Sequence, residues 1–171
     1  IFGTKRETAT IGYPKAHRRM TGWGDFESNR GRTRGVIIKG IKCPSKVKSF
    51  FFRINHNDWD SVALRRKSRT IENGKVGESI LRENIIFHTS QKHRWVEVNL
   101  EKYEIVLCGE ILATLEWVDA QGSIGEYSNV LTLSLSNEEG LVYSREANEE
   151  IGTIMPDKHV PAMYIEVYKT D

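Results

Sequence analysis

A chain of 171 residues, 39% hydrophobic and 28% charged, carries enough apolar material for one domain with a sizeable core. Its net charge of +2 lacks the Lys and Arg excess that nucleic-acid binders concentrate, and no apolar run approaches the ~20 residues that cross a bilayer. The expectation is a single domain over residues 1–171, with no nucleic-acid partner and no insertion of this segment into a membrane.

The sequence opens at Ile1 without a methionine, as a mature product or a piece of something longer does, and no signal peptide is visible. Thr8, Thr10, Ile11 and Tyr13 suggest an opening strand ending at Gly12-Tyr13-Pro14. The basic stretch from Lys15 to Arg34, broken by Gly22, Gly24 and Gly31, reads as a long connection with one short strand around Trp23 to Phe26. Val36-Ile37-Ile38 begins a strand predicted to end before Cys43-Pro44-Ser45. Lys46 to Asn55 is a second, clear strand, with Phe50, Phe52 and Ile54 on one face and Phe51 and Arg53 on the other. Asn55-His56-Asn57-Asp58 suits a turn. Trp59 to Ile71 reads as the next strand, with Val62, Leu64 and Arg66 set against Ala63, Arg65 and Lys67, and Asn73-Gly74 is a turn signal. Ser79 to Glu83 reads either as one helical turn or as the approach to a strand from Asn84 to Thr89.

The segment from Trp95 to Asp119 is the most regular in the chain: apolar and polar residues alternate through strands Trp95–Asn99, Tyr103–Cys108 and Glu110–Asp119. In the last of these, Ile111, Ala113, Leu115 and Trp117 face one way. A Gly-containing loop over residues 120–128 precedes a strand in which Val130, Thr132 and Ser134 alternate with Leu131, Leu133 and Leu135. Glu138 to Thr153 is acidic and loop-like, with Tyr143 on a short strand, and Ala162 to Tyr168 closes the chain as a strand. About nine to eleven short strands, with no helix of ~10 residues, predict an all-β fold: an antiparallel jelly-roll β-sandwich of about eight to ten strands.

Candidate chemistry is sparse. Cys43 and Cys108 each end a predicted strand and can pair if those ends lie side by side; the plainer expectation is two free, half-buried thiols. Asn55, Asn57, Asp58 and Asp60 form an oxygen-rich turn that suits calcium but lacks an EF-hand's glycine and closing Glu, so turn formation explains it as well. His56, His88 and His93 do not match a zinc spacing. Trp59, beside polar turn residues, offers a stacking face for a sugar, with Asn57, Asp58, Arg65 and His93 to reach its hydroxyls, although a packed, structural Trp59 is the simpler reading; Trp95 and Trp117 read as core anchors. Alternation places Arg65, Lys67 and Arg69 on one face, where bidentate contacts to a phosphate or an acidic polysaccharide are possible, although a solvated face is the simpler reading. No nucleophile elbow is present, and Glu97 with Glu110, or Glu116 with Asp119, are the carboxylate pairs a glycosidase would need.

The order KVKSFFFRI, VALRRKSRTI, ILRENIIF, WVEVNLEKYEIVL and EILATLEWVD, and within it Trp95, Val98, Leu100, Tyr103, Ile105 and Glu116-Trp117, resembles the C-terminal β-sandwich of uncharacterised surface or periplasmic proteins of Bacteroidetes, often labelled carboxypeptidase-like regulatory domain proteins. The resemblance covers residues 35 to 120 and the closing strand, and its positions determine fold, so it carries over no catalytic residue. The strand count also resembles galactose-binding-like jelly rolls, which implies ligands at the loops of one end with a structural calcium nearby. The expected function is a non-catalytic accessory or interaction module of a bacterial cell-envelope protein, periplasmic or extracellular, whose partner is a glycan or another envelope protein. The alternatives are a carbohydrate-binding module and a glycoside hydrolase-like enzyme; beyond calcium no cofactor is expected.

Overall fold

The period-two rows of the sequence pair into twelve antiparallel strands in a computed structural model that describes residues 5–125 and 128–170. In chain order these are β1 (Thr8–Gly12), β2 (Met20–Asp25), β3 (Thr33–Asn57), β4 (Ser61–Glu72), β5 (Lys75–Ser79), β6 (Ile85–Thr89), β7 (Arg94–Asn99), β8 (Val106–Gln121), β9 (Val130–Ser134), β10 (Gly140–Arg145), β11 (Thr153–Asp157) and β12 (Met163–Tyr168). A single helical turn, α1 (Phe26–Asn29), is capped by the Asp25 carboxylate accepting from the Ser28 N–H. Residues 126–127, inside the loop expected over 120–128, lie outside the described residues.

The strands form two layers. In sheet I the order is β1–β12–β3–β7, and β9, carrying β2 on its far side, joins β3 beyond the end of β12. In sheet II the order is β11–β10–β3–β8–β4, with β5 and β6 end to end on the far side of β4. The long strand β3 belongs to both: Thr33–Lys46 pairs in sheet II and Val47–Asn57 in sheet I. Its crossing is irregular, with register shifts between Ile38 and Ser45, Gly40 at φ +78° and a cis Cys43–Pro44 bond.

The strands predicted before Cys43 and after Lys46 are therefore two halves of one ribbon, because the Gly and Pro that punctuate the sequence bend β3 without ending its pairing. The strand expected over Tyr103–Cys108 is likewise a short 3₁₀ turn, Glu101–Tyr103, followed by the start of β8. The strand count exceeds the predicted one because Lys75–Ser79 and Thr153–Asp157 also pair. Asn73 and Gly74, both at positive φ (53° and 74°), make the tight β4–β5 turn.

The inward rows meet between the layers. Val36, Ile38, Val62, Leu64, Ile111, Ala113, Leu115 and Trp117 of sheet II pack against Phe50, Phe52, Ile54, Val98, Leu133, Met163 and Ile165 of sheet I. Each large side chain buried here contributes about 1.5–3 kcal/mol, and a one-residue slip would turn its row into water, which fixes the register. A second, smaller cluster lies on the outer face of sheet II, where Ile37, Leu112 and Tyr143 are covered by Ile71, Val76, Leu141 and Ile154. Among the described residues no helix is long and apolar enough to cross a membrane.

The cysteines are not free thiols. Cys43, at the bend of β3, and Cys108, beside the Gly109 irregularity of β8, form a disulfide with their Cα atoms 4.4 Å apart. Pairing of Ile41 with Gly109 and Ser45 with Leu107 brings the two strands together at this point.

Candidate functional site

The residues singled out for a loop-end sugar site do not form one. Trp59 is only 7% exposed; its ring stands edge-on to Phe26 at 6.1 Å, within an aromatic cluster that Phe26 links to Trp117 and Trp23. No ring face is left for a sugar. Asn57 is buried, its carboxamide accepting from the Trp59 N–H at 2.9 Å and donating to the Gln91 carbonyl at 3.0 Å. Lys92 donates to the Trp59 carbonyl. Asp58 accepts from the Val130 N–H at 2.9 Å, which holds its carboxyl below the usual carboxylate value, and it contacts His56 at 2.6 Å. His93 lies on the outer face of sheet I, where its ring nitrogens meet the Asn55 carbonyl at 2.6 Å and Arg53 at 3.2 Å. These groups tie the β3–β4 loop to β9 and to the β6–β7 loop.

The calcium candidates diverge for the same reason. Alternation along β3 turns Asn55 outward, where its amide donates to Thr132 at 3.4 Å and contacts the Met20 sulfur, while Asn57 points inward and Asp60 lies on the exposed loop. Among the described residues no group of three or more His, Cys, Asp or Glu is placed to hold a metal ion. Of the paired carboxylates, Glu97 and Glu110 are separated. Glu97 stands in sheet I, accepting from Ser49 at 2.7 Å, whereas Glu110 begins the regular part of β8 in sheet II.

Trp95 departs from its expected core position. It is half-buried on the outer face of sheet I, edge-on to Tyr164 at 5.2 Å, while Tyr164 stacks on Phe51 at 4.5 Å. The three rings form a half-buried aromatic row on that face.

Arg65 leads elsewhere, to the outer face of sheet II. The registers set side chains of four strands into rungs across that face. One rung reads Arg145, Thr33, Glu116, Arg65; the next reads Tyr143, Gly35, Thr114, Lys67; on β3, β8 and β4 the third reads Ile37, Leu112, Arg69. The middle rung carries nothing large at its centre. At Gly35 a Cβ would meet the Ala113 carbonyl and sit 2.8 Å from the Thr114 methyl, so this position must stay bare. The result is a depression of about 190 Å³ with Thr33 and Thr114 in its floor, Tyr143 at one end, and Lys67, Arg69, Glu116, Arg145 and Glu150 around it.

Its electrostatics are uneven. Arg65 donates to both Glu116 oxygens at 3.0 and 3.1 Å, and Arg145 approaches the same carboxylate at 4.0 Å while also donating to Thr33 and to the Gly31 and Glu149 carbonyls. Glu116 is thereby consumed. Arg69 lines the depression and donates through Nε to the Gly77 carbonyl at 2.9 Å, which orients its guanidinium. Among the described residues neither Lys67 nor Arg69 has a carboxylate within salt-bridge distance. The Tyr143 hydroxyl accepts from the Gly152 N–H at 3.0 Å and keeps its own proton to donate. The cation row on β4 was readable from alternation; Thr33, Thr114, Tyr143 and Arg145 were not, because they enter through strand pairings with no sequence signal.

No family model and no curated protein matches this chain. Among solved structures, one similar in fold is that of the cysteine protease and lectin-like domains of Cwp84, a surface layer associated protein of Clostridium difficile. Its TM-score is 0.63 at 8% identity, over 95% of this chain and 36% of that one. The likeness is one of fold, a β-sandwich, and this chain spans about a third of the length of that structure.

Proposed function

We propose that this chain is a non-catalytic accessory module of a secreted or cell-envelope protein, and that it binds a saccharide in the depression on the outer face of sheet II. The observation that carries the reading is the bare middle rung. It opens a hollow in an otherwise continuous sheet and lines it with hydroxyls and charged groups held by the backbone ladder. Such a site is rigid before the ligand arrives, so little ordering entropy is lost on binding. Concave, pre-formed sites with a few aimed polar groups are the usual form of small-ligand recognition.

The Cys43–Cys108 disulfide supports an oxidising compartment, since such bonds persist outside the cytosol. The structure similar in fold carries a domain described as lectin-like and belongs to a surface-layer associated protein, which agrees with a binding role at a cell surface.

A glycan array followed by NMR titration tests the reading. Amide shifts are expected to concentrate at Thr33, Gly35, Lys67, Thr114, Glu116 and Tyr143. Shifts centred instead on Phe51, Trp95 and Tyr164 would move the site to sheet I, and an array without any binding would remove the saccharide altogether.

A further inference from the structure

We infer that the saccharide taken by this site carries an anionic substituent, a uronate carboxylate or a sulfate or phosphate ester, seated between Lys67 and Arg69. The inference rests on the saccharide reading above and names its ligand class.

The charges around the depression fall into two groups. Arg65 and Arg145 converge on Glu116, so that end is neutralised by the protein itself. The other end is not: the exposed Glu150 is the remaining acid in the lining, and among the described residues it makes no salt bridge to Lys67 or Arg69. Lys67 and Arg69 are two residues apart on β4 and share a face, about 6.6 Å apart along the strand. An oxyanion seated between them lies within hydrogen-bond reach of both. Both residues are half-buried, and the Gly77 carbonyl holds the Arg69 Nε and so orients the plane of its guanidinium. A guanidinium fixed in plane offers its two Nη donors as a fork, the geometry that a carboxylate or ester oxyanion accepts bidentately. Beside them the Thr114 hydroxyl lies across the rung from Lys67 and donates to a neighbouring oxygen.

A neutral sugar leaves these two cations without a counter-charge. An acidic one matches them, and its binding weakens as salt screens the pair.

Titration calorimetry with an oligogalacturonate and with its methyl ester tests this, because esterification removes the charge and keeps the ring. The array of the preceding section supplies the neutral comparison. The acidic oligomer is expected to bind, to lose about tenfold or more on esterification, and to lose a similar factor in the Lys67→Ala and Arg69→Ala variants, whose unchanged melting temperatures report an intact fold. Arg69→Lys, which keeps the charge but not the fork, is expected to recover only part of the loss. Equal affinity for the acid and its ester, or array binding confined to neutral glycans, overturns the inference and leaves the saccharide reading standing. An array and a calorimeter that both register nothing overturn the two together.

Discussion

Arg66 is a costly side chain to bury. It sits on the inward row of β4 with Val62 and Leu64, is 1% exposed, and lies over the Phe50 ring at 4.1 Å. Its Nε and Nη1 have no hydrogen-bond partner, and burial pushes its pKa down to about 9. A ring face returns part of the desolvation cost of a guanidinium but does not satisfy its donors. Arg66→Met keeps the length and the contact with Phe50 while removing the charge. It is expected to raise stability by roughly 1–3 kcal/mol, read as a higher denaturant midpoint. A lower midpoint would mean that the guanidinium has a partner in solution.

Asp58 works in the opposite sense. The Val130 N–H, and after it His56, hold its carboxyl below the ordinary value of 3.8. The folded chain therefore releases this proton more readily than the unfolded chain. The stability Asp58 supplies is complete above pH 3.8 and is lost as the pH falls through the folded value. The loss of denaturant resistance between about pH 6 and about pH 3 is expected to be smaller in Asp58→Asn than in the parent chain. Equal losses would show that the Val130 contact contributes nothing.

Among the elements, β3 and β8 pair over much of their length and are also joined by a covalent tie. Cys43 and Cys108 are 65 residues apart in sequence, so the bond closes a long loop in the unfolded chain. Chain-entropy reasoning assigns such a closure roughly 4 kcal/mol, with about 2–4 the common measured range. The double variant Cys43→Ser/Cys108→Ser is expected to lose about 2–4 kcal/mol by chemical denaturation and to keep the two-layer fold by far-ultraviolet circular dichroism. A loss under about 0.5 kcal/mol would place the tie outside the stability of the fold.

At the scale of the whole molecule, what was readable follows one rule. Where burial is decided by alternation within a strand, the sequence announces it: Ile111, Ala113, Leu115 and Trp117 all lie in the core, and Phe50, Phe52 and Ile54 face them from the other layer. Where the outcome depends on which strands become neighbours, it does not. Trp59 stands beside Asn57, Asp58 and Asp60, and what covers its ring is Phe26 of α1, a neighbour the sequence does not name. The unity of β3 is hidden by Gly40 and Pro44, which resemble a stop and produce a bend. The hollow of sheet II needs Gly35, Thr114 and Lys67 in one rung, a coincidence of two pairing registers. Only its Lys67–Arg69 flank, carried by one strand, was visible beforehand.

The ribbon from Thr33 to Asn57 is a beam built into both walls. Neither wall can be peeled away while the other stands, so the module yields to load or heat as a whole. New chain ends, cuts or inserted cargo belong at the surface turns such as Asn73-Gly74, never along that beam.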